Sequence, residues 1–281
     1  MQVNERSITA ADGRALAATF TAPAGRPWMV VVFVGALGVP RRFYGRLAAL
    51  LAAEGVASVC YDPRGIGGSV AGPLRADPAT LADWGLLDQP AAFAAAAAAW
   101  PGLPQSALCH SFGGQALGLY PGVAGLHKAV MVASAVGDLR LFPWMDRLRY
   151  TLLLRAALPV VVGLTGYAPR WLGLGEALPP GVPLQWGRWC GTRNYLRGAL
   201  PAEQQHYEAL VAPALFVELT DDRMAPAGPA AALRAWYPNA DFSVQRVAPE
   251  QIGQRSIGHF GYFRPGPTAP LWAALVDFLR A

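Results

Sequence analysis

Short apolar runs recur along the chain, and most end in a stretch rich in glycine, proline or aspartate. A run of that kind with turn residues at its end reads as a buried strand. "PWMVVVFVGALG" (27–38) predicts a strand and a tight loop. "ASVCYDPRGIGGS" (57–69), "QSALCH" (105–110), "LHKAVMVAS" (126–134), "PALFVELTDD" (213–222) and "DFSVQRVAP" (241–249) predict five more. Between them lie stretches of helical period: "FYGRLAALLAAEGV" (43–56), "TLADWGLLDQPAAFAAAAAAW" (80–100), "APAGPAAALRAWY" (225–237) and a closing "APLWAALVDFLRA" (269–281). The alanine tract in the second favours helix, because alanine has the highest helix propensity. Strands alternating with helices predict an α/β fold, with a mostly parallel central sheet and helices on both faces. Ligands of such sheets sit at the carboxyl ends of the strands.

One region breaks the rhythm. From 138 to 200 the pattern predicts no strand, only helix-like apolar segments: "WMDRLRYTLLLRAAL", "APRWLGLGEAL" and "PLQWGRWCGTRNYLRG". These predict a helical cap inserted into a core made of residues 1–137 and 201–281. Trp171, Trp186 and Trp189 lie in the cap, where they either line an apolar pocket or pack the cap onto the sheet.

Composition narrows the classes. A chain of 281 residues is long enough to bury about 75% of its unfolded surface as one unit. Hydrophobic residues make up 53%, but many are alanine. The apolar run "AALPVVVGLTGY" (156–167) is shorter than the roughly 20 residues a span requires and contains Pro159, so no stable membrane span is expected. The start, "MQVNERSITA", has no apolar stretch after a basic opening, and no signal peptide is expected. The net charge of +5 comes without a basic run or interleaved aromatics, so no nucleic-acid partner is expected. Cys60, Cys109 and Cys190 are widely spaced and form no CxxC. That pattern indicates neither a disulfide framework nor a zinc site, and it fits a reducing, cytoplasmic setting. No phosphate loop, dinucleotide fingerprint or metal-ligand cluster is evident, so no cofactor and no metal are expected.

The chemistry centres on "LCHSFGG" (108–114). Ser111 falls where a strand becomes a helix, a place that holds a hydroxyl on a tight, exposed turn near the positive end of the helix dipole. The neighbours two residues away must be small. Gly113 satisfies this fully, Cys109 less well. A serine nucleophile needs a base, a group that orients the base, and donors for the oxyanion. Of four histidines, His110 should point away from its neighbour Ser111, His127 opens a strand at the wrong end, and His206 lies in a polar helix, "AEQQHYEAL". His259 follows the last strand between glycines and is the candidate base. Asp221 or Asp222, which end a strand between Ser111 and His259, would orient it. The backbone N–H groups of Phe112 and of Leu37, in the "GALGVP" loop, are the candidate oxyanion donors.

In these residues, and over essentially its whole length, the chain resembles the α/β-hydrolase superfamily. The landmarks are "VGALG", "DPRGIGGS", "CHSFGG", "TDDRMAP" and "GHF". The resemblance places the acid four residues before a proline, which selects Asp222 ahead of Pro226. "GHFGYFRP" and "WGRWC" are similar to a poorly characterised bacterial branch. Two departures stand out: Cys109 replaces the first elbow glycine, and Gly35-Ala36 replaces a common His-Gly. The implied fold is the α/β-hydrolase fold. The implied activity is hydrolysis of a small-molecule carboxylic ester or thioester with an apolar acyl group by a Ser111, His259, Asp222 triad. A serine in place of an aspartate disfavours dehalogenase and epoxide hydrolase chemistry. An aminopeptidase or amidase, served by Asp138, Asp146 or Glu176 in the cap, is the alternative within hydrolysis. A binding protein on an inactive hydrolase fold is the alternative outside it.

Overall fold

The computed structural model describes residues 1–264, 266 and 269–281. It contains one eight-stranded sheet: β1 (Gln2–Thr9), β2 (Ala15–Ala22), β3 (Met29–Val34), β4 (Val56–Tyr61), β5 (Gln105–His110), β6 (Lys128–Val132), β7 (Pro213–Leu219) and β8 (Asp241–Val247). Their order is β1-β2-β4-β3-β5-β6-β7-β8. From β4 to β8 all neighbours are parallel, and β1 and β2 run antiparallel at one edge. The six strands predicted from apolar runs all form. In β3, "MVVVFV" is buried at every position, as a central parallel strand covered on both faces requires.

The β1–β2 hairpin departs from the sequence reading, which had no strand before residue 27. β2 alternates, with Leu16, Ala18 and Phe20 buried. β1 is exposed at all but Ile8, because it pairs only with β2 at the rim. Hydrophobic patterning gives no signal for such a strand.

Helices cover both faces. One face packs Leu47 and Leu51 of helix Gly45–Ala53 with Leu275 of helix Ala269–Arg280; the other packs Phe93 and Ala96 of helix Gln89–Ala99. The "DPRGIGGS" loop after β4 is fixed by charge. Asp62 accepts from the Arg41 N–H at 2.6 Å and the Gly68 N–H at 2.8 Å. Arg64 reaches the fully buried Asp88 at 2.7 Å and Asp12 at 2.7 Å. Burial pulls the Asp88 carboxyl above the usual range in spite of this arginine.

Residues 138–200 carry no named strand. They hold the long helix Trp144–Thr165 and the helices Gly181–Cys190 and Tyr195–Ala199. Two local expectations are corrected. "APRWLGLGEAL" is a loop with one short turn, Arg170–Leu172, closed by an isolated bridge between Ala168 and Leu178. The segment around His206 forms two short turns, Ala202–Gln204 and Tyr207–Ala209, in place of a polar helix. A third correction concerns residues 156–167. Pro159 does not break that run, because it sits where α geometry resumes after the wider turn Leu153–Ala157, a position where its missing N–H costs little. The helix therefore extends over 22 residues, with a mean hydropathy of 1.4 over its most apolar 18-residue window. By length and composition alone it could cross a membrane, although Tyr150 and Leu154 on its inner face line the cavity described next.

Candidate active site

Ser111 directly follows β5 and opens the helix Phe112–Ala116, with φ 53° and ψ −111°. A residue with a Cβ in that region carries about 1–3 kcal/mol of strain and needs its surroundings to hold it. Here the Ser111 N–H donates to the Val132 carbonyl at 3.0 Å, and its own carbonyl accepts from the Gly114 N–H at 3.1 Å. A Cβ on Gly113 would stand 1.9 Å from the Val34 carbonyl oxygen, so only glycine lets this turn press against β3. Cys109 is fully buried within the core cluster that also holds Phe112 and Ala116. The turn forms with cysteine in that position.

His259 sits in the short helical turn Gly258–Gly261, entered through Gly258 at φ 58°. Its Nδ1 lies 2.7 Å from Asp222 Oδ2. The other oxygen of Asp222 accepts from the N–H groups of Met224 (2.8 Å) and Ala225 (3.2 Å). A carboxylate only accepts, so Nδ1 carries a hydrogen, and the neutral imidazole in that tautomer has its lone pair on Nε2. That Nε2 is buried and has no hydrogen-bond partner among the described residues. Asp221 is used differently. It accepts from Ser256 Oγ (2.8 Å) and from the N–H groups of Ile257 (2.8 Å) and Gly258 (3.0 Å), tying down the loop ahead of His259. Burial works to raise its carboxyl, but these donors outweigh it and hold the group below the usual range.

Ser111, His259, Phe112 and Leu37 line one cavity of about 90 Å³. No described group accepts a hydrogen bond from the N–H of Leu37 or Phe112. Residues 138–200 supply an apolar wall that includes Phe142, Tyr150, Leu154 and Trp186. The three tryptophans singled out in that segment separate: Trp186 lines the cavity, Trp189 is buried against Tyr195, and Trp171 is largely exposed. Among the described residues, no cluster of histidine, cysteine and acidic side chains is placed to hold a metal ion.

A family model described as the alpha/beta hydrolase family matches residues 31–271. The chain belongs to that family. No curated protein matches it in sequence. Among solved structures, it is similar to a thermostable carboxyl esterase from Bacillus coagulans in complex with glycerol, at 15% identity and TM-score 0.65, covering 100% of this chain and 98% of that one. It is similar to an esterase from Exiguobacterium antarcticum at 16% identity and TM-score 0.65, covering 99% and 100%. It is also similar to the alpha/beta hydrolase GrgF from Penicillium sp. sh18 at 16% identity and TM-score 0.63, covering 100% and 98%.

In this alpha/beta hydrolase family member, His110 points away from Ser111 into a buried network that the sequence did not reveal. Its Nε2 lies 3.0 Å from the backbone carbonyl of His259, and its Nδ1 lies 3.0 Å from Tyr44 Oη. The carbonyl can only accept, so Nε2 carries the hydrogen. Nδ1 must then accept from the Tyr44 hydroxyl, whose oxygen in turn accepts from the Ala36 N–H at 2.9 Å. One chain of hydrogen bonds thus joins the loop holding Leu37 to the turn holding His259. Phe43, Phe260 and Phe263 surround the His110 ring. Burial, helped by nearby His259, pushes His110 well below the usual histidine range and keeps it neutral. The aromatic string "GHFGYFRP" supplies part of this packing; its final Pro265 lies outside the described residues. The loop holding Leu37 is pinned by residues 174–176 as well. The Glu176 N–H donates to the Gly38 carbonyl at 2.8 Å, and a Cβ on Gly38 would meet the Leu174 carbonyl at 1.9 Å.

Proposed function

We propose that the protein is a serine hydrolase that cleaves a carboxylic ester or thioester with an apolar acyl group. The observation that carries this reading is the unpartnered Nε2 of His259, whose other nitrogen is held by Asp222, lining the same cavity as Ser111 on its strained turn. Nε2 takes the proton from Ser111 Oγ as that oxygen attacks the carbonyl carbon. Asp222 holds the tautomer and stabilises the imidazolium. The Phe112 and Leu37 N–H groups receive the oxyanion, in the place where preorganised donors contribute most. His259 then returns the proton to the departing alcohol or thiol. Water repeats the sequence on the acyl-enzyme, releasing the acid and restoring Ser111.

The apolar wall of Phe142, Tyr150, Leu154 and Trp186 supports an apolar acyl group. The amidase alternative requires an acid free to hold a substrate amine, and the three cap candidates are already engaged. Asp138 pairs with Arg140, Asp146 with Arg223, and Glu176 with Arg42 and Arg170. None of the three lines the cavity. Free, buried Cys60, Cys109 and Cys190 support a reducing, cytoplasmic setting.

The test is a panel of p-nitrophenyl esters of increasing acyl length, acyl thioesters and aminoacyl anilides, run beside Ser111→Ala. Esters should be turned over and anilides not. kcat/KM should rise with each methylene by up to the fourfold that about 0.8 kcal/mol of burial represents. Ser111→Ala should lose on the order of 10⁶ in kcat. A Ser111→Ala enzyme that retains turnover would overturn the reading.

A further inference from the structure

The helix Trp144–Thr165 has two apolar faces. On the inner face every fourth residue is apolar or aromatic: Tyr150 and Leu154 line the cavity, and Leu158 and Val162 are buried in the core. On the outer face Trp144, Leu148, Leu152, Val160 and Leu164 form a second row at the same spacing, with Ala156 completing it, and all are exposed. In a pure α-helix a row at every fourth residue drifts by about 40° per step. The wider turn at Leu153–Ala157 takes up part of that drift. The outer row is unusually bare: Leu164 is 83% exposed and Trp144 74%, and Trp171 on the following loop is 71% exposed. Single exposed apolar residues are ordinary in soluble proteins, whereas a contiguous row marks a contact surface.

We infer that this outer row docks on the surface of an anionic phospholipid bilayer, with the helix lying in the plane of the interface. Charge selects the partner. Arg147, Arg149 and Arg155 are exposed on the same helix, and none has a carboxylate partner among the described residues. The helix's one acid, Asp146, is neutralised by Arg223 at 2.6 Å. An apolar face flanked by arginines, with tryptophan at its margins, is the composition of an interfacial helix. A second copy fits poorly, because a two-fold contact would set this helix against itself and bring unpaired arginines together. A span fits poorly too, because the inner row is built into the cap and the core. The inner face of the same helix walls the cavity, so docking would bring the site close to the bilayer surface. Taking the substrate from the bilayer is the one step that rests on the proposed hydrolase reading.

The test is co-sedimentation of Ser111→Ala protein with vesicles of phosphatidylcholine alone and of phosphatidylcholine with phosphatidylglycerol. Using the inactive variant makes binding independent of catalysis. Binding should be at least tenfold tighter to the anionic vesicles and weaken with salt. The combined change Arg147→Gln, Arg149→Gln and Arg155→Gln should remove that preference, at about fivefold per arginine. Leu148→Asp, Leu152→Asp and Leu164→Asp together should abolish binding of the Ser111→Ala protein to both vesicles, and the same three changes made in the protein with Ser111 intact should leave turnover of a soluble short-chain ester unchanged. Equal sedimentation of the Ser111→Ala protein with and without the three aspartate changes would overturn the proposal. So would a dimer in size-exclusion chromatography that the aspartate changes dissociate.

Discussion

Tyr44→Phe tests whether the buried network organises the site. The ring stays, so its packing against Phe33, Phe43 and Phe263 is retained and little apolar area is lost. Only one oxygen is removed, but two polar groups lose their partner: the Ala36 N–H (2.9 Å) and His110 Nδ1 (3.0 Å). An unsatisfied buried polar group costs about 1–3 kcal/mol, so the change should destabilise the fold by about 2–6 kcal/mol. That is a large share of the about 5–15 kcal/mol that holds a typical protein together. The damage is local to catalysis, because Ala36 precedes Leu37. If Leu37 is the oxyanion donor proposed above, a loop freed of this tether mispositions that donor without removing it, so kcat should fall about tenfold, less than the 10²–10³ lost when a donor is deleted. KM should hold, since the cavity wall is unchanged. Urea unfolding followed by circular dichroism gives the stability, and initial rates on a short ester give kcat. A loss below about 0.5 kcal/mol with unchanged kcat would refute the reasoning, since it would mean the network carries neither structure nor geometry.

His110 is held neutral by burial, so its folded pKa lies below that of the unfolded chain. Its contribution is complete above about pH 6.5 and is lost as pH falls below that value, at about 1.4 kcal/mol per pH unit. The slope of unfolding free energy between pH 6 and 5 should therefore be smaller by that amount in His110→Asn, and an unchanged slope would contradict the assignment. Gly113→Ala, with its new methyl 1.9 Å from the Val34 oxygen, should abolish turnover and destabilise by about 1–3 kcal/mol. Cys109→Gly should also destabilise, by about 1 kcal/mol or more, since it empties a packed site and loosens β5. A more active, more stable Cys109→Gly protein would show the cysteine to be a defect of the turn. Asp222→Asn should lower kcat about 10⁴-fold. Asp221→Asn, whose carboxylate holds only loop groups, should cost less than tenfold in kcat and appear chiefly as lowered stability. Reversal of that order would exchange the roles of the two aspartates.

What was legible in the sequence divides by the range of the interaction that fixes it. The six strands from β3 onward announce themselves as apolar runs ending in turn residues. The placement of Ser111, Asp222 and His259 just after strands follows from that rhythm, and all three lie on the carboxyl side of the sheet. β1 was illegible because an exposed rim strand has no burial pattern. The length of the helix Trp144–Thr165 was illegible because Pro159 reads as a break unless the wider turn before it is known. The polar turns around His206 carry the composition of a short helix but lack the packing that would extend one. His110 illustrates the remaining limit. Its direction, away from Ser111, follows from the chain, but its partners Tyr44 and His259 come from 66 and 149 residues away. No local pattern encodes a hydrogen bond across such a distance.

The central claim is that Ser111 is made nucleophilic by His259. The most direct measurement is covalent labelling with a fluorophosphonate, read by intact mass and by peptide mapping. The account predicts one adduct per chain, located on Ser111, forming rapidly in the native protein and at least 10³-fold more slowly in His259→Ala. A folded protein that takes up no label, or takes it up on another residue while still turning over ester, would contradict it.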